Sequence, residues 1–193
     1  MISGAIPQFN YLDVLIVIVL IRICCIALAM GLTIEIFKFL GVIFATYISL
    51  HYYVSVSDIV QRTFLPKGMP LEFLDFLVFV VLVLAGYAGF AALRVVFYRF
   101  IKLESIPWLN KIGGLVLGVI RWFFVVGLLV FTLNISSISY LSNSVRHSYL
   151  GSRAFSISPN TYSWLWKNIF SKFSGKEKFN STVSEAVDKF NQK

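Results

Sequence analysis

Gly114, Gly118 and Arg121 recur at spacings of four and three inside IGGLVLGVIRWFFVVGLLVFTL, residues 112 to 133, a run that is otherwise apolar. On a helix these positions share one face, so the glycines form a groove leading to the guanidinium. A charge at that depth costs about 2.5–3.5 kcal/mol to insert, which directs Arg121 into a helix bundle or wet cavity rather than at lipid. Its fork of donors suits Asp13, Glu35 or Asp75 from neighbouring helices, or an anionic substrate group. The bland chemistry is a buried ion pair that sets helix register. The sharper one is an intramembrane polar path around Arg121 bounded by the three acids. Arg22 is a further cation in an apolar run; at nine residues from Asp13 it lies about 13 Å along the axis, out of direct reach. It needs a partner elsewhere or a route to an interface.

Other chemistries lack their residues. The chain has no HExxH, GxSxG or P-loop pattern and no His or Cys pair at ligand spacing, so the expectation is no metal, no cofactor, no catalytic residue and no enzyme. Asp13 facing Asp75 is the one remaining route to intramembrane hydrolysis. Cys24 and Cys25 are adjacent within an apolar run, where packing is the natural use and a mutual disulfide is geometrically poor.

These side chains must be carried by membrane helices. Hydrophobic residues make up 58% of the 193 and charged residues 13%, too apolar for a soluble domain of this size. At about 20 residues per crossing, four spans fit and no large globular domain is left over. The fold class is all-α: a bundle of about four transmembrane helices with a C-terminal interfacial amphipathic helix. The first helix runs from Leu12 to Met30, with no basic region before it and no cleavage site after it, so it is expected to remain in the mature protein. Gly31 and Thr33 break the pattern, which predicts a tight hairpin with Glu35 and Lys38 at its tip, or a partly re-entrant turn. The second run spans Phe39 to Val56, and His51, Tyr52 and Tyr53 end it as an interfacial aromatic belt would.

Residues 57 to 72 carry Pro66, Gly68 and Pro70, the turn chemistry of a connecting loop. The third helix covers Phe73 to Leu93, where Ala85, Gly89 and Ala92 form a small-residue stripe suited to close packing on the fourth helix. The loop from Arg94 to Lys111 holds Arg94, Arg99, Lys102 and Lys111. By the positive-inside tendency it faces the cytoplasm, which puts both termini on the other side. Arg62, Lys67 and the tail's positive residues weigh the opposite way.

After the bundle at 10–133 comes a Ser-rich segment at 134–160, a linker or loosely docked structure. An amphipathic helix follows at 161–173, then a charged, partly disordered tail at 174–193. In TYSWLWKNIFSKF, residues Tyr162, Leu165, Trp166, Ile169, Phe170 and Phe173 share one face, with Trp164 beside them. Such a helix lies in the headgroup plane or docks on a partner protein. The net charge of +8 fits orientation and contact with anionic lipid. Its positive residues do not interleave with aromatics on one face, so nucleic acid is excluded as a partner. The expected partners are the lipid bilayer and either a membrane protein or further copies of the chain. The N-x-S/T matches at Asn134 and Asn180 matter only in a eukaryotic secretory setting.

The order of these features resembles the colicin V production protein family, CvpA-like bacterial inner-membrane proteins, over residues 10 to 133. The resemblance rests on Asp13 opening the first helix, on GLTIE from Gly31 to Glu35, and on NKIGGLVLGVIR from Asn110 to Arg121. Asn110 and Lys111 stand where the family has an Asp-Arg pair; Gly114, Gly118 and Arg121 match in type and spacing. The chain departs at Met30 and Ile34, where the family tends to carry Arg, and at Trp122, where a Gly commonly follows the Arg.

The resemblance implies a multi-pass protein of the bacterial inner (cytoplasmic) membrane. It implies a non-enzymatic accessory role in colicin V-type toxin production or export and in envelope homeostasis, with Gly114, Gly118 and Arg121 organising the bundle. The rival is a small transporter or channel whose polar path runs among Arg121, Asp13, Glu35 and Asp75, motivated by the number of ionisable groups near membrane depth.

Overall fold

The computed structural model describes residues 10–64, 70–100, 107–136, 138–173 and 177–192. Four of its helices are long and apolar enough to cross a membrane: α1 (Tyr11–Met30), α2 (Leu32–Phe64), α3 (Leu71–Phe100) and α4 (Pro107–Ile135). Each satisfies its own backbone, as a chain in hydrocarbon must. The helices run alternately up and down. One end of the bundle holds the α1–α2 turn and the α3–α4 connection, hereafter the turn end; the other holds the start of α1 and the last part of the chain, hereafter the termini end.

The α1–α2 turn is a single residue. Gly31 has φ 79°, the one positive φ among the described residues, which glycine alone adopts without cost. The Asn110 side chain stands where a Cβ on Gly31 would project, and its Oδ1 accepts from the Leu32 N–H at 2.7 Å. That bond takes up one of the free amides at the start of α2. The expected tight hairpin is made at Gly31 itself, and in place of a re-entrant turn α2 runs on unbroken, with Glu35 and Lys38 not at the tip but within its first two turns. Of the expected connecting loop at 57–72, residues 57–64 continue α2 and 65–69 lie outside the described residues, as do 101–106 with Lys102.

α3 lies chiefly along α2 and only lightly on α4. Its close approach is made by Gly86, where a Cβ would stand 3.1 Å from the Ala45 Cα. The stripe expected to meet α4 points away from the bundle: Ala85, Gly89 and Ala92 are exposed, and a Cβ on Gly89 would meet nothing within 4 Å. Gly86 shares its face with Phe79, which is wholly buried, and the stripe is rotated off it. The burial of Phe79 and its neighbours sets which side of α3 turns inward.

Beyond α4 the chain does not form a linker. It folds into α5 (Ser139–His147), α6 (Tyr149–Ala154) and α7 (Ile157–Leu165), then a π-helical turn (Trp166–Phe170), α8 (Ser171–Phe173) and α9 (Ser181–Asn191). The serines that suggest a loop serve as caps: Ser148 Oγ accepts from the Gly151 N–H at 2.8 Å. These helices form a cap over the termini end. Val145, Phe155, Tyr162 and Val183 join Leu50, Phe79, Val130 and Phe131 in one buried cluster.

The expectation that 161–173 lies flat in the headgroups is corrected by the same cluster. Tyr162 and Leu165 are buried, and Trp166 and Phe170 stack on His51 and Tyr47 of α2 at 5.1 and 3.6 Å between ring centroids. Trp164, Ile169 and Phe173 stay exposed. The aromatic face finds its apolar partner within the chain, because His51 and Tyr53 are buried mid-helix residues of α2 and do not end it as a belt. The tail likewise orders into α9, with Val183 buried; residues 174–176 lie outside the described part.

Candidate functional site

Glu35 and Arg121 form the charged centre of the turn half of the bundle. Glu35 is wholly buried and Arg121 is 6% exposed. Arg121 Nη2 lies 3.0 Å from Glu35 Oε2, while Lys38 Nζ lies 2.8 Å from Glu35 Oε1. One carboxylate is thus shared by two cations. The Arg121 contact is close in distance but not an aligned hydrogen bond, and Arg121 Nε has no acceptor among the described residues. The ion pair holds by charge, which is strong where water is excluded.

The two glycines upstream of Arg121 are what bring it there. A Cβ on Gly114 would sit 2.8 Å from the Gly31 carbonyl carbon and 2.9 Å from the Ala27 oxygen; one on Gly118 would sit 2.6 Å from the Ala27 Cβ. The groove is filled by α1 and its turn. Trp122, at the departure from the family pattern, donates its indole N–H to the Ile16 carbonyl at 3.1 Å and adds a second tie between α1 and α4.

Neither of the other acids joins this centre. Asp13, wholly buried at the opposite end, accepts from Ser148 Oγ at 2.7 Å, from the Leu150 N–H at 2.7 Å and from the Tyr149 N–H at 3.3 Å. It also accepts from the Asn10 N–H at 2.8 Å. One carboxylate therefore closes the start of α1 and holds the start of α6 against it. Asp75 hydrogen-bonds Ser57 of α2 and lines a cleft of about 960 Å³ at the termini end, with Tyr53, Asn134, Arg146, Glu185 and Lys189 among its walls. Wholly buried Phe79, Val130 and Phe131 lie in the cluster between this cleft's helices. Arg22 lies exposed on α1 and makes no ion pair among the described residues.

A second latch ties the tail. The Tyr162 hydroxyl lies 2.9 Å from His51 Nδ1 and accepts from the Asn180 N–H at 3.0 Å. Burial pushes its pKa up, so it stays protonated and donates to the imidazole. Asn180 donates to the Leu50 carbonyl at 2.7 Å, and Tyr52 donates to Glu177 at 2.9 Å. Sequence reasoning missed Ser148 and Tyr162 in these roles. Ser148 had a readable signal, a serine three residues ahead of Gly151 as an N-cap; His51 with Tyr162 had none, since the two are far apart in the chain.

Both cysteines are free thiols. Among the described residues no group of three His, Cys, Asp or Glu side chains is placed to hold a metal ion.

A family described as Colicin V production protein matches residues 12–157. The match extends past the bundle into α5, α6 and the start of α7, so it covers both Asp13 and the Ser148–Leu150 segment that Asp13 holds. No curated protein and no solved structure matches the chain.

Proposed function

This chain belongs to the colicin V production protein family, and from that membership we propose a non-catalytic accessory protein of the bacterial inner membrane that supports toxin production or export and envelope homeostasis. Its four apolar spans give it a multi-pass membrane architecture. The observation that carries the accessory reading is how the charged groups are used. Glu35 and Asp13, the two wholly buried carboxylates among the described residues, bind other parts of the same chain. What faces outward on the 161–173 segment is apolar, Trp164, Ile169 and Phe173, with Lys167 and Lys172 between them. Exposed large apolar and aromatic side chains among lysines suit a partner protein at the membrane surface.

The test is affinity purification of the full-length protein from its native membrane in mild detergent. Deleting 161–173 would remove buried Tyr162 and Leu165 and unfold the cap, so the informative variant carries Trp164→Ser, Ile169→Ser and Phe173→Ser together. A stoichiometric partner that is lost from this variant, at unchanged accumulation, is the expected result. A homo-oligomer with no partner in either protein would overturn the accessory role.

A further inference from the structure

A gap of about 170 Å³ opens between α2 and α3 near the turn end, lined by Phe37, Lys38, Gly41, Tyr87, Ala91 and Arg94. Its two cations are unevenly balanced. Lys38 shares Glu35 with Arg121, and Arg94 makes no hydrogen bond or ion pair among the described residues. Among the described residues Glu35 is thus the only carboxylate paired with any of these three cations. An unpaired guanidinium on a membrane helix is costly unless it meets water, a headgroup or an anion.

The position of the gap suggests which. Lys38 and Arg94 each lie six residues from the turn end of their helix, about 9 Å along the axis, a depth from which long basic side chains reach the interface. The volume is below that of a typical small-molecule pocket, so it admits a headgroup-sized anion and no larger solute. Beside it the same helices expose Leu40, Phe44, Leu93 and Val95, apolar surface of the kind acyl chains cover.

We propose that this gap binds a negatively charged phosphate group through Lys38 and Arg94, with the Tyr87 ring as a wall. A basic pocket between membrane helices is a known form of anionic headgroup site. A phospholipid headgroup and free phosphate share this chemistry, and two arms of one experiment tell them apart. In the first, the full-length protein is released in a mass spectrometer from nanodiscs of phosphatidylglycerol or of phosphatidylcholine, and retained lipid is counted. In the second, the detergent-solubilised protein is titrated calorimetrically with inorganic phosphate.

Arg94 has no partner among the described residues, so Arg94→Gln is expected to leave accumulation intact and cut phosphatidylglycerol retention about fivefold. Phosphatidylcholine retention is expected to be unchanged, and Arg94→Lys is expected to restore most of the loss. An Arg94-dependent heat with phosphate, without any lipid preference, assigns the site to free phosphate. Equal behaviour of wild type and Arg94→Gln in both arms overturns the proposal.

Discussion

Glu35 stands between two cations, and that arithmetic makes its substitution unlike that of either neighbour. Glu35→Gln leaves Lys38 and Arg121 without a counter-charge, whereas Arg121→Met leaves Glu35 still paired with Lys38 at 2.8 Å. Removing one partner of a buried pair costs about 3–5 kcal/mol, so Glu35→Gln should approach that loss and Arg121→Met should fall clearly below it. Unfolding in mixed detergent and dodecyl sulfate measures both, and equal losses would refute the shared-carboxylate reading. The glycines offer a second contrast. Gly114→Ala drives a methyl into the backbone of Gly31 and Ala27, which has no room to give, and should cost about 1–3 kcal/mol. Gly89→Ala meets open space and should be neutral or slightly stabilising.

At the scale of elements, the telling fact is that among the cap's several ties to the bundle two act on separate segments. Asp13 holds the start of α6 through three donors on Ser148, Tyr149 and Leu150. Tyr162, set against His51 of α2, holds the approach to α9 through Asn180, which itself bonds the Leu50 carbonyl. Asp13→Ala leaves buried donors unsatisfied, a penalty of about 1–3 kcal/mol. Amide exchange in 148–154 should quicken while the middle of α4 stays protected. Tyr162→Phe should do the same for 177–191 and spare α6. If either substitution loosened both segments together, the cap would be one cooperative unit and not two latches.

For the whole molecule the open quantity is orientation. The turn end carries Arg94 and Lys111 on the described helices, with Lys38 nearby, and the positive-inside tendency places such an end in the cytoplasm. A variant with Cys24 and Cys25 replaced by alanine, given a single cysteine at Asn191 or at Lys111, reports this directly. An impermeant maleimide added to intact cells with a permeabilised outer membrane should label the first and not the second. The reverse pattern would turn the molecule over and move the basic gap at Arg94 to the outer leaflet.

The four spans were readable from the residues alone because a membrane helix closes its hydrogen bonds within its own segment, so apolar length is a local property. The Gly114, Gly118, Arg121 spacing was readable for the same reason: a helix fixes which residues share a face. Which acid meets Arg121 was not readable, since Asp13, Glu35 and Asp75 were equivalent candidates by charge and differ only in where packing delivers them. The outward turn of the Ala85, Gly89 and Ala92 stripe was hidden likewise, because α3 is apolar all round and only burial of Phe79 chooses its inner face. The cap was misread for a third reason. Its buried apolar residues, Val145, Phe155, Tyr162, Leu165 and Val183 among them, do not make a core by themselves, and they become one only against a bundle whose surface no local pattern describes.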